Sequence, residues 1–174
     1  MTADPRSPTR LDAVRGVARS LPLRRALLAY LVFTTAEWAN WIALLVYGYT
    51  VDGARGSGLV AALQLAPAAL LSPAIAQWAG RLPAARALRV GYSVQAVSFC
   101  ATGLSLLLGA PFAVVVSLAA VSSLSLTITR PVHHSILPEL SYTPSELTAA
   151  NSASGLAEAA GVLIGPALAA GVLA

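Results

Sequence analysis

Five long apolar stretches constrain what this chain can fold into. They cover residues 26–49, 58–79, 90–110, 111–129 and 147–174, and only Glu37 and Glu158, of 11 basic and 7 acidic residues, fall inside them. A helix of about 20 apolar residues crosses ~30 Å of hydrocarbon, and lipid tolerates no unpaired backbone. The sequence therefore predicts an all-α membrane protein with five transmembrane helices in residues 26–174.

The composition argues against an enzyme and against a nucleic-acid partner. Only 10% of residues are charged, compared with about 25% in soluble domains. A single cysteine excludes a multi-cysteine metal site, and the sequence contains no nucleotide-binding glycine loop, nucleophile elbow or metal-ligand cluster. We therefore expect no enzymatic activity, no cofactor and no metal. The expected partners are the lipid bilayer and a small-molecule substrate.

The arginines predict the orientation. Residues 1–25 form a basic tail with six arginines, residues 81–89 add three, and Arg130 follows the fourth stretch, whereas only Arg55 lies on the other side. Positive residues concentrate in cytoplasmic loops, so we expect a plasma-membrane protein with a cytoplasmic N-terminus. The tail itself fits either a short interfacial helix or a disordered segment.

Glu37 and Glu158 are the candidate functional residues within the membrane. A charged group at the bilayer centre costs roughly 2.5–3.5 kcal/mol on insertion scales, so such groups usually face a cavity or a partner. Thr34, Glu37 and Trp41 share a helix face, with Asn40 beside it. Each acid is either a protonatable site on a translocation pathway or a neutral group that hydrogen-bonds two helices. Gln64 either lines a cavity or bridges helices.

Small residues predict a close helix contact in the last stretch. They recur every four positions there, at Ala153, Ala157, Gly161, Gly165 and Ala169. Such a stripe lets a second helix approach closely. The same helix has a start signal in the preceding loop, because Thr143 and Glu146 form a capping box around Pro144.

Two segments resemble signatures of the major facilitator superfamily. Residues 76–86, AQWAGRLPAAR, look like a degenerate copy of the loop between helices two and three, with Arg81 and Arg86 in the matching basic positions. Residues 161–170, GVLIGPALAA, are similar to the glycine–proline signature of helix five in exporters, with Pro166 as its proline. The arginine that such exporters often have within helix four is not expected here, since Arg130 is predicted at the cytoplasmic end.

The resemblance implies the N-terminal portion of a secondary transporter. Such proteins have two six-helix halves, so five helices would be most of the first half, and the chain would be a fragment. The implied function is export of a small molecule, coupled to protons through alternating access. The missing C-terminal half or a partner chain would then be needed. The alternative is a non-transporting five-helix scaffold or regulatory subunit.

The residues of this chain receive the following roles in the transporter hypothesis. Glu37 and Glu158 would couple protons or cations. Arg81 and Arg86 would contribute to the cytoplasmic gate, while Gly161, Gly165 and Pro166 would serve helix packing. The substrate cavity would be lined by Thr34, Asn40, Trp41 and Gln64.

Overall fold

The protein is a bundle of helices. The computed structural model describes residues 10–173, with side chains for residues 15–171. Its helices are α1 (Arg10–Arg19), α2 (Leu21–Ala79), α3 (Ala84–Leu107), α4 (Phe112–Leu140) and α5 (Pro144–Leu173). The last four are long and apolar enough to cross a membrane, and the described residues contain no strand. The prediction of an all-α, multi-pass membrane protein is thereby confirmed.

Helix α2 is a hairpin with two arms. Its helical backbone breaks at Asp52 and Gly53, where Gly53 has a φ of 56° that favours glycine. The Ser57 Oγ donates a hydrogen bond to the Leu45 carbonyl at 2.8 Å, although an unbroken helix would place these residues about 18 Å apart. The chain therefore reverses, which gives a first arm (residues 21–51) and a second arm (residues 54–79).

The bundle has two distinct ends. Val17 of α1 is buried with Leu23, Leu137 and Ala150, so α1 packs where α2 and α5 begin and α4 finishes; we call this the α1 end. At the opposite kink end, Leu44 of the first arm is buried among residues of the second arm and α4. The two arms, α3, α4 and α5 are thus the five long apolar segments of the bundle.

The first arm of α2 contacts most of the bundle. Its Thr34 Oγ1 donates to the Ala157 carbonyl of α5 at 3.3 Å, and its Phe33 ring packs edge-on against Tyr92 of α3, with centroids 5.5 Å apart. α3 lies mainly along α4, where Gly91 contacts the side chain of Thr129. The first arm is therefore the element from which the site is built.

Several helices extend beyond the apolar stretches that predicted them. α4 shows the largest difference, because it was expected to stop at Thr129 and instead continues to Leu140 through Pro131 and Pro138. α1 and the start of α2 are helical within the predicted basic tail. At the start of α5, the Glu146 amide donates to Thr143 Oγ1 at 3.1 Å, and the Glu146 carboxylate accepts from the Tyr142 amide at 2.8 Å. Polar residues interrupt the apolar runs near these helix ends, so hydropathy does not mark where the helices begin and end.

Candidate functional site

Three charged residues from three helices meet inside the bundle. The Arg130 Nη2 donates to both carboxylate oxygens of Glu37, at 3.0 and 2.9 Å. Its Nη1 donates to a carboxylate oxygen of Glu158. One guanidinium on α4 thus joins the first arm of α2 to α5. We call Glu37, Arg130 and Glu158 the ion-pair cluster.

The ion-pair cluster lies deep in the bundle. Glu37 is near the middle of the first arm and Glu158 is near the middle of α5. Because α4 continues to Leu140, Arg130 lies within the helix. The sequence-based placement of Arg130 at the cytoplasmic end of the fourth span was therefore wrong. An arginine followed by proline looks like a helix end, but two acids in neighbouring spans were a signal that a cation should be near.

The ion-pair cluster has two acidic groups for one guanidinium. With both acids ionised, two negative charges face one guanidinium, and a net negative charge remains. Each side chain is at least half buried, with relative exposures of 31% for Arg130, 16% for Glu37 and 37% for Glu158. An unbalanced charge in a low-dielectric environment is costly. The cluster therefore favours uptake of one further positive charge, from a proton or another cation.

A cavity of about 250 Å³ adjoins the ion-pair cluster. Both arms of α2, α3 and α4 contribute to its wall. Glu37 belongs to both the cluster and the cavity lining. The other lining residues are neutral: Trp38, Asn40, Trp41, Gln64, Leu65, Gln95, Phe99, Ser122, Ser123 and Leu126.

The structure brings together three of the four residues expected to line a cavity. Asn40, Trp41 and Gln64 lie in the cavity wall with Glu37. Thr34 does not, because its fully buried side chain faces α5, where its hydroxyl donates to Ala157. Position on a helix face suggested Thr34, but the approach of α5 could not be inferred from that arm alone.

The remaining predicted residues lie away from the cavity. Arg81 and Arg86 are exposed in the connection between α2 and α3 and at the start of α3. Gly161 and Gly165 are buried against the first arm of α2, and Pro166 follows them within α5. Glu158 contacts Arg130 and is not among the lining residues.

A second polar group lies one helical turn from Arg130. The His133 Nε2 and the Ser154 Oγ are 2.9 Å apart, which joins α4 to α5. The His133 ring stacks on Tyr30 of the first arm, with centroids 3.9 Å apart and planes within 5°. His133 is fully buried. Sequence analysis did not select it, because its position beyond the apolar stretch gave no sign of burial.

Comparisons with known proteins find no relative of this chain. The chain matches no protein-family model, no curated protein and no solved structure. Within the described residues, no group of three histidine, cysteine, aspartate or glutamate side chains could hold a metal ion. The ion-pair cluster and the cavity beside it therefore define the chemistry of the site.

Proposed function

We propose that this chain forms part of a secondary active transporter of the major facilitator type, which exports a small molecule. The observation that carries the proposal is that Glu37 belongs both to the cavity wall and to the ion-pair cluster. A change in charge at Glu37 therefore acts on the cavity and on the contacts among three helices. This is the linkage that a coupled carrier needs.

The proposed mechanism uses the surplus negative charge of the ion-pair cluster. A positive charge that binds at Glu37 weakens the attraction between Glu37 and Arg130. Arg130 then pairs more strongly with Glu158. The balance between these two contacts biases how α4, α5 and the first arm pack. Because a ligand shifts an equilibrium only by its differential affinity for the two states, this redistribution is the coupling step. Rocking of the two halves of a transporter around a midplane site opens that site to each side of the membrane in turn.

The position of Arg130 adds one feature to the family resemblance. Exporters of this superfamily often have an arginine within helix four, and Arg130 lies within α4. In the same scheme Arg81 and Arg86 contribute to the cytoplasmic gate. The protein would lie in the plasma membrane with its N-terminus in the cytoplasm, and a second transporter half or a partner chain would complete the pathway.

Alternating access can be tested without knowing the substrate. In a Cys100→Ala background, Ser123→Cys places a thiol in the cavity wall of the full gene product. We expect a membrane-impermeant maleimide to label it from both sides in oriented membrane vesicles. Ser117→Cys is the control, because its position faces outward from α4 and is expected to face lipid. Labelling of the Ser123→Cys variant from one side only would contradict the proposal.

The coupling role of Glu37 is tested in the same vesicles. We expect the ratio of labelling from the two sides to change with pH in the parent protein. Glu37→Gln removes the surplus charge and should fix the ratio without loss of protein from the membrane. Tyr30, Arg130 and Glu158 lie near Glu37, and His133 stacks on Tyr30, so His133→Gln is the control for the imidazole beside the cluster. A ratio that still responds to pH in Glu37→Gln would remove Glu37 from the mechanism.

A further inference from the structure

We propose that the cavity binds a small organic monocation, a protonated amine with an apolar or aromatic body and a neutral oxygen acceptor. The inference rests on the proposed function, since it names the class of substrate that the same cavity would take. The charge, the composition and the unpaired polar groups of the cavity wall support it.

The charge of the wall selects against an anion. Of the residues that line the cavity in the described part of the chain, Glu37 alone is charged. Arg130, the nearest cation, already donates to both Glu37 and Glu158. A carboxylate has about four lone-pair sites, so Glu37 can accept from an ammonium group in addition to Arg130. A bound ammonium would also balance the surplus negative charge of the ion-pair cluster.

The rest of the wall suits an apolar body. Trp38, Trp41 and Phe99 contribute aromatic rings, and Leu65 and Leu126 contribute aliphatic side chains. Aromatic side chains favour cations as well as apolar groups. The cavity volume of about 250 Å³ is slightly below the range of about 300–1,000 Å³ that is typical of sites for drug-sized ligands. The ligand is therefore expected to be small.

Gln64 points to an oxygen acceptor on the ligand. Its side chain is 2% exposed, and its Oε1 accepts from the Ser123 hydroxyl at 3.5 Å. Its Nε2 has no hydrogen-bond partner among the described residues. Buried amide donors are rarely left unpaired. An oxygen of a ligand in the adjoining cavity would supply the acceptor that the protein does not.

A matched series of three probes tests this class in the full gene product reconstituted in lipid nanodiscs. 2-Amino-1-phenylethanol has an ammonium and a hydroxyl group, 2-phenylethylamine has only the ammonium, and mandelate has a hydroxyl and a carboxylate. Quenching of tryptophan fluorescence reports binding, since Trp38 and Trp41 line the cavity. We expect the amino alcohol to bind about fivefold more tightly than the amine, as one net hydrogen bond would give, and mandelate not to bind.

Two variants assign the interactions to residues. Gln64→Leu should weaken the amino alcohol about fivefold, to the affinity of the amine, and leave the amine unchanged. Gln77→Leu, an exposed position on the same arm, is its control. Glu37→Gln should abolish binding of both amines, whereas Asp52→Asn at the exposed kink should not.

The outcomes separate this inference from the proposed function. Binding of mandelate as tight as that of the amines, no binding of either amine, or a Gln64→Leu effect that is equal for both amines would each overturn the organic-monocation proposal. If neither amine binds while the Ser123→Cys thiol is labelled from both sides, the substrate class alone is wrong. Amine binding with labelling from a single side would instead support the ligand class and contradict transport.

Discussion

Arg130 accounts for how two acids persist in an apolar bundle. Each would cost roughly 2.5–3.5 kcal/mol at the centre of a bilayer on insertion scales. The guanidinium hydrogen-bonds to both, which offsets much of this cost and fixes three helices at one point. Removal of one member from a buried pair costs more than the pair contributes, because the remaining charge is left uncompensated. The cluster therefore predicts strongly unequal effects of single and combined substitutions.

We expect Arg130→Met to lower the free energy of unfolding by roughly 3–5 kcal/mol. Two acids would then remain without their cation. The combined variant Arg130→Met, Glu37→Gln, Glu158→Gln should recover much of this loss, because it removes all three charges. Chemical denaturation in detergent micelles, followed by helical circular dichroism, measures both effects.

The exposed pair of Arg55 and Asp52 is the control for Arg130→Met. These groups are 3.7 Å apart and their side chains are 82% and 54% exposed. Arg55→Met should therefore change the unfolding free energy by less than about 1 kcal/mol. Equal effects of Arg55→Met and Arg130→Met would show that the ion-pair cluster makes no special contribution to stability.

At the scale of elements, the contact between α5 and the first arm of α2 depends on glycine. A Cβ at Gly161 would lie 2.9 Å from the Thr34 backbone carbon, and one at Gly165 would lie 2.8 Å from both the Ala39 nitrogen and the Thr35 oxygen. Real side chains do not approach backbone atoms this closely. The two helices are therefore in contact through their backbones, which places Glu158 within reach of Arg130.

Gly165→Ala is expected to destabilise the bundle by about 1–3 kcal/mol through overpacking. The added methyl group would meet backbone, which cannot rotate away. Gly155→Ala is the matched control on the same helix, since a Cβ there meets nothing within 4 Å. It should be neutral or stabilise by up to ~1 kcal/mol, because alanine favours a helix. Thermal unfolding in detergent compares them, and equal melting temperatures for the two variants would contradict the backbone contact.

The sequence predicted the elements better than their contacts. Apolar stretches located the two arms of α2 and helices α3, α4 and α5, and the four-residue spacing located the glycine face of α5. The extension of α4 past Thr129 was missed because Arg130 and Pro131 end the apolar run. Pairing between Arg130 and the two acids was missed for the same reason. Thr34 was assigned to the cavity because a helix face does not reveal which neighbour covers it.

At the scale of the whole molecule, most arginines surround one end of the bundle. The described side chains of Arg19, Arg24 and Arg25 are exposed at the end of α1 and the start of α2, and those of Arg81, Arg86 and Arg89 are exposed where α2 gives way to α3. Because α2 is a hairpin, both of these regions lie at the α1 end. Arg55 is at the kink end. With Arg130 moved into the bundle, the asymmetry on which the predicted orientation depends is retained.

This asymmetry predicts which exposed positions face the cytoplasm. In a Cys100→Ala background, we expect Asp52→Cys and Leu108→Cys, at the kink end, to react with an impermeant maleimide in intact cells. Arg81→Cys and Tyr142→Cys, at the α1 end, should react only after lysis. All four positions are exposed, so accessibility reports the side of the membrane and not burial in the bundle.

The pattern of labelling distinguishes the fold from its orientation. The α1-end variants could instead react in intact cells and the kink-end variants only after lysis. That result would support the hairpin and show that the cytoplasmic placement of the N-terminus is wrong. If Asp52→Cys and Arg81→Cys react on the same side, the second arm does not cross the membrane. The hairpin would then be wrong, and with it the cavity, because both arms of α2 contribute to its wall. The coupling mechanism requires the cavity, so this measurement tests the structural premise of the proposed transport.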